Sequence, residues 1–221
     1  MKTLKTLILS KFKTLSLVTM ALAFSFIILM VRIKLNSSFF YIFLVWNIFL
    51  ALIPYAITMY LSTKQNLSQL TLVFWFLVWL AFLPNAPYIV TDFTHVRMSN
   101  DAQIWLDVLV VFSFAISGLF LFYLSIIDMQ ELIVSKFKHA PIMPSTLIIL
   151  FLCAFGVYLG RFLRYNSWEI ISGPYVLIAD IFKIFISPFQ NSEAWLFTLG
   201  YGGFLVIGFW MFKQQFQSPK F

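Results

Sequence analysis

Two short runs carry most of the side chains in this sequence that could do chemistry. The first reads Leu83-Pro84-Asn85-Ala86-Pro87-Tyr88-Ile89-Val90-Thr91-Asp92, followed by His95 and Arg97. Asp92 and His95 have the i, i+3 spacing that places two side chains on one helical face. With Asp107 or Glu169 they would form a donor set for a divalent metal, and a metal there would activate water against an ester or phosphate. A hydrogen-bonded Asp–His pair is the plainer reading of the same spacing. The second run, Gly160-Arg161-Phe162-Leu163-Arg164-Tyr165-Asn166-Ser167-Trp168-Glu169, brings two arginines together. On a continuing helix Arg161 and Arg164 share a face, and each offers forked donors to a phosphate or carboxylate. Asn85, Tyr88 and Asn166 would add hydrogen bonds to such an anion, with Trp168 beside it. The bland counterpart is a pair of snorkelling arginines in a Tyr–Trp belt at a membrane surface.

The elements that must position these residues are membrane spans. Hydrophobic residues make up 62% of the 221, and charged ones only 10%, against roughly 25% charged in an ordinary soluble domain. A soluble fold of this size has no interior large enough for so much apolar surface. Runs near 14–33, 38–61, 70–90, 104–127 and 193–212 meet the ~20-residue length of a transmembrane helix. A sixth, 144–163, does so if Phe162 and Leu163 extend it. The expected fold is an all-α, polytopic bundle of about six spans, 1–221 forming a single integral membrane domain. The N-terminal lysines Lys2, Lys5, Lys11 and Lys13 resemble a signal leader, but the run Leu15–Ile33 exceeds the ~7–15 apolar residues of a signal, so it is read as an uncleaved first span. Residues 174–187 are apolar but too short to cross, and Asp180 and Lys183 fall on one side of them; they predict a helix lying in the interface.

Proline chemistry predicts a break in the third span near Leu83, because Pro84 and Pro87 remove backbone donors and disfavour helix in the residue before each. Irregular backbone at that depth is tolerated against protein or a wet cavity, so Asn85 and Tyr88 would line an outward recess. The plainer alternative is a helix end punctuated by prolines. The small-residue pairs Ser113/Ser117 and Gly156/Gly160, and the glycines Gly200, Gly202, Gly203 and Gly208, predict close helix contacts. Trp75 and Trp79 are expected to face lipid or a neighbour, and Asp128 and Glu131 a solvated helix end.

Several functions are excluded. There is a single cysteine, Cys153, so no intrachain disulfide is possible, and no GxxxxGK[ST] or GxGxxG run marks a nucleotide site. The net charge of +7 falls on the side holding both termini, which carries nine of the fifteen Lys and Arg. That bias predicts N-in and C-in termini and an anionic lipid surface, not nucleic acid, as the partner of the positive charge. Chain parity places Asn85, Asp92, His95, Asp107, Arg161, Arg164 and Glu169 together at the opposite face.

Taken together, the NAPY–TD–H run, Trp105 with Asp107, and the GRFLRYNSW run resemble a family of bacterial multi-pass membrane proteins catalogued as a domain of unknown function. The resemblance covers roughly residues 40–210. It implies a bacterial plasma-membrane location and supplies no activity. Three functions stay open: binding or transport of an anionic lipid headgroup or phosphate, a metal-dependent membrane hydrolase or transferase, and an accessory subunit that docks a membrane protein partner.

Overall fold

The computed structural model describes residues 6, 9–64, 67–98, 104–165 and 169–217. All the regular structure in them is helical, and six helices are long and apolar enough to cross a membrane. The chain divides into two compact units, 1–140 and 141–221.

The first unit is built around one long helix. Its elements are α1 (Phe12–Asn36), a 3-10 turn (Phe40–Ile42), α2 (Phe43–Ser62), α3 (Gln69–Phe82), the one-turn α4 (Asn85–Tyr88), a 3-10 stretch (Ile89–Met98) and α5 (Ile104–Lys136). At ~1.5 Å per residue, the 33 residues of α5 reach about 50 Å. Against it pack α1, α2, α3, α4 and the 3-10 stretch. Every residue from Leu121 to Gln130 is buried, so this segment is enclosed on every face. The helix also runs nine residues beyond the expected span end at 127, to Lys136.

Polar links along α1 and α5 show the two helices to be antiparallel. Lys11 pairs with Asp128 at 2.5 Å, Ser25 Oγ lies 3.3 Å from Ser117 Oγ, and Arg32 Nε donates to Asp107 Oδ1 at 2.8 Å. Lys11 to Arg32 and Asp107 to Asp128 are both steps of 21 positions, or about 31 Å of helix. That length matches the ~30 Å thickness of a hydrocarbon core. The ion pairs are thus spaced as its two borders would be. Between them the serine hydroxyls meet and Phe26 stands edge-on to Phe114, with ring centroids 5.7 Å apart. Ser113 and Ser117 are buried, as small residues at a close helix contact should be. Asp128, expected on a solvated end, is instead buried and paired.

The proline run does not break into irregular backbone. Leu83 keeps right-handed helical angles (φ −56°, ψ −39°), and its N–H still donates to the Trp79 carbonyl at 2.9 Å. Pro84 then caps α4, where a missing N–H is harmless, and the helix tightens into the 3-10 stretch. The tertiary reason is contact with α5: a Cβ on Gly118 would stand 2.7 Å from the Ala86 carbonyl oxygen. The absent side chain lets the proline turn lie directly on the central helix. One turn earlier, Trp79 is fully buried, and its indole N–H donates to Ser125 Oγ at 2.7 Å. It faces the protein interior rather than lipid.

The second unit comprises α6 (Ile142–Arg161), the one-turn α7 (Glu169–Ser172), α8 (Pro174–Ile186) and α9 (Ser192–Gln217). α6 packs on α9, where Gly202 leaves room for the Phe151 ring; Gly200 and Gly203 face open space and take no part. Of the glycines expected to pack, those two are not at a helix contact. Rings of Tyr158, Phe162, Phe197 and Tyr201 continue the seam at centroid spacings of 5.0–5.2 Å. α8 opens on Pro174, whose fixed φ suits the first turn of a helix. Its 13 residues cover only about 20 Å, too little to cross. Leu177 and Ile184 turn inward, Ile184 against Tyr158 and Ala194, while Tyr175, Ile178, Phe182 and Phe185 are exposed. The Asn191 amide and the Trp195 indole satisfy the last carbonyls of α8.

Candidate functional site

Within the first unit, the border between α1, α2, α5 and the 3-10 stretch collects a polar cluster. Arg32 is its centre, although it sits on an apolar helix and is buried. Nε and Nη2 donate to the two oxygens of Asp107 at 2.8 and 3.5 Å, and Nη1 donates to the Ser38 carbonyl at 2.9 Å. The face of the guanidinium lies 4.6 Å from the Tyr41 ring centroid. Beside this, Asn47 donates to Asp92 Oδ2 at 2.8 Å, and Tyr41 donates to the His95 carbonyl at 3.5 Å. Asp92 and Asp107 are both almost wholly buried. A carboxylate in such a place is tolerated only with partners, and each has one.

The expected metal donors divide on this geometry. His95 Nε2 stands 3.9 Å from Asp92 Oδ1, as the i, i+3 spacing demands. The imidazole is held edge-on between Phe43 and Phe40, with centroids at 5.1 and 6.0 Å. Asp107 is engaged by Arg32. Among the described residues, no group of three or more His, Cys, Asp or Glu side chains could hold a metal ion. Asn85 donates its amide to the Phe82 carbonyl at 2.8 Å, which ties it to the end of α3. Tyr88, like Asn85, is half-buried.

Within the second unit, the arginine run lies at the end of α6. The helix stops at Arg161, so Phe162 and Leu163 do not extend the span and Arg164 does not share a helical face with Arg161. Instead the chain turns: Arg164 adopts a left-handed conformation (φ 61°) and is exposed. Tyr165 N–H returns to the Leu159 carbonyl at 3.1 Å, and its hydroxyl donates to Asp180 Oδ2 at 2.7 Å. The arginine turn is therefore fastened to the middle of α8. The bond to Asp180, with the charges of Asp180 and Glu169 adding to it, holds the Tyr165 phenol above its ordinary pKa. Glu169 opens α7. Asn166 and Trp168 lie outside the described residues.

Residues 46–207 match a family described as protein of unknown function (DUF1361). The chain belongs to the DUF1361 family. The matched DUF1361 segment starts inside α2 and ends inside α9, so it takes in both the proline run and the arginine turn. Arg32 on α1 and Lys11 at its N-cap precede it. No curated protein and no solved structure matches the chain. The DUF1361 description carries no activity, so a functional reading has to come from the residues themselves.

Arg32, Tyr41 and Asn47 are the side chains of the first cluster that motif reasoning missed. Arg32 had a visible signal: it is the one charge that interrupts an otherwise apolar run from Leu15 to Ile33, and an intramembrane charge needs a partner.

Proposed function

We propose that this membrane protein binds an anionic group, a phospholipid headgroup or free phosphate, on the arginine turn that ends α6. The observation that carries this is Arg164: it is exposed, in a left-handed turn beyond the helix, and that turn is pinned to α8 through Tyr165 and Asp180. In the first unit Arg32 and Lys11 are engaged by Asp107 and Asp128, whereas Arg164 presents a forked donor outward. Arg161, one turn earlier, adds a second positive charge. A charge-assisted, forked contact from an arginine to a phosphate is stronger than a neutral hydrogen bond, and solvent at an exposed site reduces its worth. The lysine-rich side would face the cytoplasm of a bacterium, with the arginine turn at the outer face of its plasma membrane. The nine-to-six distribution of Lys and Arg supports that orientation.

The test is native mass spectrometry of protein released from nanodiscs of mixed anionic and zwitterionic lipid. We expect bound anionic lipid on the parent protein and about a tenfold or greater loss in the Arg161→Ala/Arg164→Ala pair. Inorganic phosphate added to lipid-stripped protein separates the two sources. Equal lipid retention by the parent and the double variant would end this reading.

A second reading, a divalent metal on Asp92 and His95, is favoured by the approach of His95 Nε2 to Asp92 Oδ1. It ranks second because Asp107 is already engaged by Arg32. A stoichiometric metal in the same spectra, lost in His95→Ala, would reverse that order.

A further inference from the structure

At the other end of α5 lies a second buried carboxylate with different surroundings. Asp128 is 7% exposed, and Lys11 Nζ reaches its Oδ1. Its Oδ2 is buried and has no hydrogen-bond partner among the described residues. The same holds for the hydroxyl of Tyr55, on α2, which is 5% exposed and on which the charge of Asp128 acts. Two orphaned polar atoms in one neighbourhood are rare, since buried donors and acceptors are nearly always matched. Here they are complementary in a particular way. A bare carboxylate oxygen can only accept, a protonated one can donate, and a phenol can do either. The two atoms make no bond in the form held by Lys11, and on protonation the acid gains an O–H that the phenol oxygen can accept.

We propose that Asp128 is a proton-binding site, with Lys11 as the partner of its carboxylate form and Tyr55 as the partner of its acid form. In the form seen here, Asp128 is held by Lys11 and Oδ2 waits unpaired. A proton delivered by hydronium adds to Oδ2: one O–H bond of hydronium breaks and leaves water, the O–H bond of the acid forms, and no atom changes oxidation state. The neutral acid then donates to the Tyr55 hydroxyl, and Lys11, still an ammonium, loses its counter-charge. Lys11 can leave because its side chain is 22% exposed and its long stem can carry the charge to water. Among the described residues, the charged group that acts on Asp128 is Lys11, at the N-cap of α1, and the charge of Asp128 in turn acts on Tyr55 of α2. α3 offers the indole of Trp79, which bonds Ser125 and does not titrate. On α5 itself Glu131 stands one turn further on and is exposed. Lys11 belongs to α1, whose other end is fastened by Arg32, so protonation would free one end of α1 while the other holds. Ionisable side chains inside spans are the usual sites of proton binding in membrane proteins.

Infrared difference spectra of the parent protein in nanodiscs, between neutral and acid buffer, test this directly. A carboxylic acid carbonyl band should grow on acidification and be missing in Asp128→Asn. It should shift to higher frequency in Tyr55→Phe, which keeps the fold and removes the acceptor. In parallel, a nitroxide on Phe12→Cys, with Cys153→Ser, should become more mobile on acidification, and be mobile at both pH values in Asp128→Asn. A band present equally at both pH values, or a pH-dependent band that Asp128→Asn leaves in place, would overturn the proposal. A band indifferent to Tyr55→Phe would overturn the role of Tyr55, and a label that stays fixed in acid would overturn the release of Lys11.

Discussion

The guanidinium of Arg32 donates from three nitrogens and stacks on Tyr41, while Asp107 receives both of its bonds from that one side chain. The consequence is asymmetric. Removing the arginine leaves a carboxylate buried with nothing to answer it, which costs about 3–5 kcal/mol. Removing both charges and filling the space with apolar side chains leaves no such debt. Arg32→Gln is therefore expected to lose several kcal/mol in reversible unfolding in mixed micelles, and Arg32→Met with Asp107→Leu much less. Equal losses in the single and double variants would show that the pair does not act as a unit. The pairing itself was not legible in the sequence. Each charge could be assigned a depth from its place in a span, but the partners are 75 positions apart, and depth does not name a partner. Trp79 was hidden for another reason. In a soluble helix a buried tryptophan betrays itself by lying on the apolar stripe, whereas on α3 every face is apolar, so the side facing lipid and the side facing α5 read alike.

At the scale of elements, glycine decides how closely helices meet. A methyl group on Gly118 would run into the Ala86 backbone, and one on Gly202 into the Phe151 ring; at Gly203 it would meet nothing within 4 Å. Gly118→Ala should cost about 1–3 kcal/mol through overpacking, because the obstacle is backbone and cannot turn aside. Gly202→Ala should cost less, since a ring can shift, and Gly203→Ala should be neutral or slightly stabilising through helix propensity. Thermal unfolding of the three variants in one detergent checks that order, and a destabilised Gly203→Ala would contradict it. Span number, span order and the short α8 could all be read from runs of apolar residues, because the bilayer imposes length on them. The behaviour of Leu83-Pro84 could not. Local proline chemistry favours a break, but Leu83 is fully buried, and packing against α5 holds it in the helical region that proline disfavours. Likewise the expected shared face of Arg161 and Arg164 assumed a helix that in fact stops at Arg161, before the left-handed turn at Arg164.

For the whole molecule, the two ion pairs between α1 and α5 are expected to act as a gauge. Both stand 21 positions apart on their helices, and the protein should resist unfolding best in bilayers whose hydrocarbon core is near ~30 Å. Thinner or thicker bilayers would pull one pair into water or drag it into lipid, at fractions of a kcal/mol per Å of mismatch. Unfolding measured in a series of lipids of rising chain length should show a maximum, and the maximum should flatten in the Arg32→Met/Asp107→Leu variant. A monotonic trend would mean that the pairs do not sense thickness. The same placement bears on how the chain is made. Arg32 leaves the ribosome 75 residues ahead of Asp107, which at about 5–20 residues per second is a wait of roughly 4–15 s. A charge at mid-membrane would spend those seconds stranded. Set at the rim, each can stay hydrated until α5 arrives, so the first helix can enter early and be locked late.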